Sequence, residues 1–202
     1  MSAASTFAVA LEREILPGSL VRARLLERGI LIWRGDDDAI RVWEDRCPHR
    51  SVRLSAGRNL GHCVECVYHG WRFGKDGTVI AIPACGNAAR PDIRVAVLGS
   101  AVRGGFVWAS LEGTANPPPS FEPADSEAHV RPLPFRANAA RVEQALAGLA
   151  GVRVVVTPTG MQASSVFGYA TVEPAERAID AARRVNELLT RLRRRIEAEA
   201  AR

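Results

Sequence analysis

The chain has 202 residues, enough for one domain of ordinary size or two small ones, and its 47% hydrophobic and 24% charged residues are ordinary for a globular protein that buries a core. No apolar run approaches the roughly 18 to 20 residues of a membrane helix, and the early stretch Phe7 to Leu11 is too short for a secretion signal and runs into Glu12, so a cytoplasmic protein with no membrane partner is expected. The formal charge is +5, but Lys75 is the one Lys among 27 basic residues, a bias toward Arg that does not amount to a phosphate-binding surface, and no nucleic-acid partner is expected.

From Phe7 to about Leu111, short β-rich runs alternate with turn signals, the signature of a small antiparallel all-β domain. Strands are predicted over Phe7 to Leu11, Leu20 to Leu25, Ile30 to Trp33 and Ile40 to Glu44, then Cys63 to Val67, Trp71 to Phe73, Val79 to Ile82, Arg94 to Val97 and Phe106 to Ser110. Pro17-Gly18, Gly35-Asp36, Lys75-Asp76-Gly77 and Gly104-Gly105 reverse the chain, because Gly tolerates positive φ and Pro fixes it. Residues 114–134 change character, with Asn116-Pro117-Pro118-Pro119, Glu122-Pro123, Pro132 and Pro134 and no apolar period, and read as a semi-rigid linker.

Beyond the linker, Ala137 to Gly148 predicts a short helix, and Val152 to Thr157 and Ser164 to Val172 predict two strands. A last helix is expected from Pro174, placed as its first residue, to the C-terminus, with Ile179, Ala182, Val185, Leu189, Leu192 and Ile196 on one stripe. Its Arg183, Arg184, Arg191, Arg193, Arg194 and Arg195 are interleaved with Glu187, Glu197 and Glu199 and read as a solvated outer face, with a basic docking face as the alternative. Residues 135–202 are thus a small α+β segment near the lower size limit for an independent core, expected to pack on something else. The expected division is 1–113 for the β domain, 114–134 for the linker and 135–202 for the α+β segment.

The scarcest residues carry the chemistry. All four Cys (47, 63, 66, 85) and three of the four His (49, 62, 69) lie between Cys47 and Cys85, with His129 outside. A disulfide scaffold would be richer in Cys and would lack the His, so a metal is the first hypothesis. Cys47-Pro48-His49 and Cys66-Val67-Tyr68-His69 each offer one thiolate and one imidazole on a tight loop, sixteen residues apart. Together they supply two Cys and two His, the donor set of a [2Fe–2S] cluster in which two neutral His replace two Cys on one iron. Zinc is the competing metal, with Cys63-x-x-Cys66 and a choice of Cys47, His49 or His69, but it leaves the Gly70-Trp71-x-Phe73 context unexplained. Cys63 and Cys85 are expected to be small buried thiols, and His62 a solvated turn residue.

Cys47-Pro48-His49-Arg50 and Cys66-Val67-Tyr68-His69-Gly70-Trp71-Arg72-Phe73, followed by Asp76-Gly77 and Ile82-Pro83, resemble the Rieske domain of Rieske-type oxygenases. The flanking Leu31-Ile32-Trp33-Arg34 and Gly105-Phe106-Val107-Trp108 extend the resemblance to about residues 7 to 113. It implies a mainly β Rieske fold of antiparallel sheets and a [2Fe–2S] cofactor, with Cys47 and Cys66 on one iron and His49 and His69 on the other. Respiratory Rieske proteins tie their ligand loops with a disulfide; the corresponding positions here are Val52 and Tyr68, so the resemblance favours the oxygenase and ferredoxin type, near the low end of about −150 to +300 mV.

In that family the Rieske domain passes its electron to a mononuclear iron held by two His and one carboxylate in a following catalytic domain. Beyond residue 113 this chain has His129 alone, so no such triad is expected, and no catalytic residue is assigned. Arg141 to Ala147 loosely resembles the start of the family's catalytic helix, with Gln144 and Ala147 near its Asn and Asp positions, as a remnant would; an unrelated docking module is the other reading. The expected function is a one-electron carrier, taking electrons from a flavin or ferredoxin reductase and giving them to a terminal oxygenase or a fuller oxygenase subunit. Arg50, Arg53, Arg58 and Arg72 are candidates for steering an acidic donor toward the loops. The alternatives are a shortened subunit of a hetero-oligomeric oxygenase whose catalytic iron sits on a partner chain, and a redox sensor or decayed oxygenase. The resemblance leaves the substrate open.

Overall fold

The computed structural model describes residues 6–85, 91–118 and 121–200. In chain order its elements are β1 (Thr6–Leu11), β2 (Leu20–Leu25), β3 (Arg28–Arg34), β4 (Ile40–Glu44), β5 (Arg58–Asn59), β6 (Cys63–Glu65), β7 (Arg72–Gly74), β8 (Val79–Ala81), β9 (Val97–Arg103), β10 (Phe106–Ser110), β11 (Glu127–Phe135), α1 (Ala139–Leu146), β12 (Val152–Gly160), β13 (Ala163–Thr171) and α2 (Ala178–Ala200). They divide into two compact units, Met1–Arg24 with Arg28–Pro117, and Leu25–Glu27 with Pro118–Arg202.

The first unit holds a six-stranded sheet in the order β1-β10-β9-β4-β3-β2 and a four-stranded sheet β5-β6-β7-β8. The mainly β antiparallel class is as the turn spacing implied. Several boundaries differ and β5 is not among the expected strands; three of the differences have a visible local cause. The predicted strand from Cys63 stops at Glu65, because the Cys66 N–H leaves the ladder and donates to the Trp71 carbonyl (2.8 Å). For the same reason β7 begins at Arg72 and not at Trp71. The strand expected over Arg94 to Val97 is a single bridge from Arg94 to Thr78, and the continuous strand β9 runs on through Gly99 and Ser100. Gly99 looks like a turn residue, but it is there because a Cβ would lie 2.1 Å from the Gly113 carbonyl oxygen: the glycine permits a close backbone approach.

One core cluster of this unit joins Leu31, Trp33, Trp43, Leu54, Val64 and Phe73 to Cys47 and Cys66. Trp33 and Trp43 meet edge to face, centroids 5.0 Å apart at 73°, an arrangement that adds about 0.5–1.5 kcal/mol beyond their buried area. Both indole nitrogens are buried with no hydrogen-bond partner among the described residues. Each such orphan donor costs about 1–3 kcal/mol, so packing outweighs polar satisfaction here.

The second unit is a three-stranded sheet, β11-β13-β12, with α1 and α2 against it. The α+β segment therefore reads strand, helix, strand, strand, helix, and its first strand, Glu127–Phe135, occupies residues expected to be linker. Proline explains both the misreading and the outcome. β11 is an edge strand, where a missing N–H costs no central ladder bond; Pro132 falls in the register shift between Val130 and Leu133, and Pro134 lies opposite Ser165. Pro119, also in the expected linker, lies outside the described residues.

The last helix starts at Ala178, not at Pro174. Ala175 has φ +65°, the Glu176 N–H donates to the Glu173 carbonyl (2.9 Å), and this extra turn delays helix entry to Arg177, whose carbonyl accepts from Ala181 N–H (3.1 Å). The buried stripe is accordingly Ala181, Val185, Leu189 and Ile196, while Ile179 is 59% exposed. Asn138 caps α1 by accepting from the Arg141 N–H (2.9 Å). No helix among the described residues is long and apolar enough to cross a membrane.

Candidate metal centre

The two Cys/His loops fold alike. In the first, the Cys47 N–H donates to the Val52 carbonyl (2.8 Å) and the Ser51 N–H to the Cys47 carbonyl (2.8 Å). In the second, the Cys66 N–H donates to the Trp71 carbonyl (2.8 Å) and the Gly70 N–H to the Cys66 carbonyl (3.1 Å). Each loop is thus a five-residue reversal closed by a residue in the left-handed region, Ser51 (φ +58°) in one and Gly70 (φ +65°) in the other. Cys opens both reversals, and the His stands two residues later in the first and three in the second.

The reversals bring the four expected residues together. Cys47 and Cys66 are 2% and 3% exposed, in the apolar cluster with Trp43 and Phe73. His49 and His69 lie on the solvent side, with their Nδ1 atoms 3.1 Å apart and ring centroids 4.9 Å apart. Metal–imidazole bonds run about 2.0–2.1 Å, so two nitrogens on one ion stand about 2.8–3.4 Å apart for angles between right and tetrahedral. The observed separation fits both rings facing one ion through Nδ1. A two-iron cluster needs only two protein donors per iron, and two Cys and two His are what the loops bring together here.

Burial pushes the Cys47 thiol above its ordinary value; the backbone N–H groups of His49 and Arg50 oppose the rise by donating to the sulfur, and the adjacent Cys66 reinforces it. The His49 imidazole is held below its ordinary value, first by desolvation and then by the charges of His69 and Arg50. Desolvation thus favours the neutral, ligating form of His49, whereas a thiol must release its proton on metal binding.

Several groups around the loops were not legible in the sequence. Asp45, two residues before Cys47, has its carboxylate 1% exposed and accepts from Ser55 N–H and Ser55 Oγ–H, both at 2.7 Å, with Arg22 at 3.5 Å. It ties the exit of the first loop to the end of β4. Glu65, just before Cys66, lies in register between Arg58 and Arg72 on the neighbouring strands and pairs with both. The hydrogen bond from Arg58, then that from Arg72, holds its carboxyl below the usual range. Trp71 stacks on His49 with centroids 4.4 Å apart and planes 5° apart, and Tyr68 stacks on His69 at 3.9 Å and 29°.

Of the remaining candidates, Cys63 is fully buried as expected, whereas Cys85 is exposed in the short turn Pro83–Cys85. The Pro83 ring next to it packs where a Gly70 Cβ would be, 3.1 Å away, so this turn faces the second loop and not the core. His62 is exposed in a bend. His129 lies on β11 beside the Tyr169 ring, centroids 5.1 Å apart. Gln144 is exposed on α1, and Ala147 follows its last turn.

Residues 5–98 match the family model described as the Rieske [2Fe-2S] domain. The chain is 35% identical over 107 residues to the oxidoreductase NdmD of Pseudomonas putida, covering 52% of this chain and 18% of that protein. It is 36% identical over 109 residues to the phthalate 4,5-dioxygenase oxygenase subunit of Pseudomonas putida, covering 52% of this chain and 24% of that protein. The chain therefore spans only a minor part of the length of these curated relatives. Among solved structures, NdmA of Pseudomonas putida CBB5 superposes with a TM-score of 0.79 at 19% identity, covering 96% of this chain and 81% of that one. Apo dicamba monooxygenase superposes with a TM-score of 0.78 at 17% identity, covering 96% and 85%. These likenesses are of fold, and at such coverage they extend beyond the matched domain into the second unit.

Proposed function

Since residues 5–98 are a Rieske [2Fe–2S] domain of the type found in Rieske oxygenase subunits, a domain that binds a [2Fe–2S] cluster, we propose that the chain passes single electrons within an oxygenase system, with Cys47 and Cys66 holding one iron and His49 and His69 the other. The observation that carries this reading is the polarity of the site: two buried thiols behind two solvent-side imidazoles whose Nδ1 atoms face each other at 3.1 Å. When bound, the cluster supplies a centre that takes and gives one electron.

The residues divide the remaining work. Cys47 and Cys66, buried in the apolar core cluster, would hold the cluster from its water-excluded side. The N–H groups of His49 and Arg50, aimed at the Cys47 sulfur, stabilise negative charge there. The outer edges of His49 and His69 are the solvent-side approach for an electron partner. Exposed Val67 and Tyr68, 61% and 58%, give that approach an apolar centre, and Arg50 and Arg53 give it a cationic margin. This suits an acidic reductase or ferredoxin donor, drawn in by charge and seated by apolar contact. Arg58 and Arg72, also candidates from the sequence, are engaged by Glu65, so steering falls mainly to Arg50 and Arg53.

The electron acceptor is a terminal oxygenase or a fuller oxygenase subunit, and the setting is the reducing cytoplasm, where thiols stay free to ligate. A second reading, a subunit working with a partner chain that carries the catalytic iron, is favoured by the fold likeness extending past the Rieske domain into the second unit.

Anaerobically purified protein is expected to contain two irons and two acid-labile sulfides per chain and to give a Rieske-type EPR signal after dithionite reduction. His69→Ala should abolish that signal, and one zinc without sulfide would sink the reading. Arg50→Ala should slow reduction by an acidic donor and flatten its salt dependence; an unchanged rate and salt response would remove Arg50 from the docking margin.

A further inference from the structure

Metal-bound histidines are ordinarily held in plane by a hydrogen bond from the second ring nitrogen to a carboxylate, a carbonyl or water. Here the rings turn their Nδ1 atoms toward each other, 3.1 Å apart, and that approach does not by itself fix either ring's plane. Backbone geometry does not fix the rings either, because the outer side-chain torsion of His is broad. The first loop nonetheless needs His49 turned so that Nδ1 faces His69.

The second loop supplies the constraint. Trp71 lies parallel to His49, 4.4 Å between centroids and 5° between planes, and it is itself held: half-buried, packed on the core cluster that contains Cys47 and Cys66, with Phe73 behind it at 6.4 Å. Its carbonyl is fixed by the Cys66 N–H at 2.8 Å. The indole therefore reaches from one ligand loop to the ring of the other, and it does so in a chain with Val52 and Tyr68 where a disulfide would otherwise join the loops. Tyr68 caps the other ring, but from the adjacent position in the same loop and 58% exposed, so it crosses no gap and is poorly anchored.

We propose that Trp71 is a positioning residue: its stacking sets the plane of His49, and the same contact clamps the two ligand loops together. The inference rests on the ligand assignment above.

The test compares the full-length chain, anaerobically loaded, with Trp71→Leu, Trp71→Phe and His49→Ala. The readouts are iron and sulfide content, the g-anisotropy of the reduced EPR signal, the reduction potential and the rate of iron loss to a chelator, with far-UV circular dichroism to confirm folding. Trp71→Leu is expected to shift the g values and the potential and to lose iron about 10-fold faster, in line with lost support of a ligand. Trp71→Phe, which keeps a flat ring, should stay near the parent. A folded Trp71→Leu with less cluster than Trp71→Phe also supports the proposal. It is overturned if Trp71→Leu matches the parent in signal, potential and iron loss, or if the Leu and Phe variants are equally impaired. A parent signal surviving in His49→Ala would instead remove the ligand assignment, and the proposal with it, independently of what the Trp71 variants do.

Discussion

Ser51 and Gly70 occupy the same place in two equivalent reversals, and only one of them is glycine. A non-glycine residue in the left-handed region costs about 1–2 kcal/mol, so the first loop is held in place partly against its own backbone preference. Ser51→Gly relieves that strain while adding freedom to the unfolded chain, and is expected to raise stability by up to about 1 kcal/mol in chemical denaturation. Gly70→Ala should lower it by about 1–2 kcal/mol, and its new Cβ would press on Pro83 at 3.1 Å. Responses of the same sign from both variants would mean that the two reversals are not energetically equivalent. The pairing of Cys with His was readable from spacing. The Ser51 conformation was not, because nothing in Arg50-Ser51-Val52 announces a positive φ.

At the level of elements, α2 shows a stripe whose phase is legible and whose beginning is not. Val185, Leu189 and Ile196 are buried as the period implies, with Leu192 packed beside them, but the first buried member is Ala181 and Ile179 is exposed, the helix starting only at Ala178 after the turn at Ala175. Leu189, fully buried against the sheet, carries the largest expected penalty: Leu189→Ala should cost about 2–5 kcal/mol in the stability of the second unit, whereas Ile179→Ala, on the exposed side, should stay within about 0.5 kcal/mol. Thermal unfolding of both variants tests the phase directly. β11 is the complementary case: its prolines spoke against a strand, and its place at the sheet edge made them harmless.

For the whole molecule, pH dependence should follow groups whose folded environment differs most from water. Burial pushes Tyr169, fully enclosed in the second unit, up to about 12. Between its ordinary value of 10 and that point the unfolded chain releases a proton that the folded chain keeps, so stability falls as pH rises through this window. In acid the sign reverses. Glu127 is held below its ordinary 4.5 chiefly by hydrogen bonding from Arg153, so the unfolded chain takes up a proton first and stability is lost as pH falls below that value. Denaturation midpoints across pH should drop at both ends; Tyr169→Phe should flatten the alkaline limb and Glu127→Gln the acid limb. Alkaline stability unchanged in Tyr169→Phe would assign that limb to other groups.

The β class of the first unit, the two Cys/His loops and the proposed donor set were legible in the sequence, because these depend on local quantities: alternation, turn chemistry and the spacing of scarce Cys and His. It takes the folded chain to place Glu65 between two arginines, Asp45 at the exit of the first loop and Trp71 against His49, and to make a strand of a proline-rich stretch. Each of these depends on which strand lies beside which and where its edge falls. Such contacts join residues distant in sequence, and their energies come from register and burial, which no local window of the chain contains.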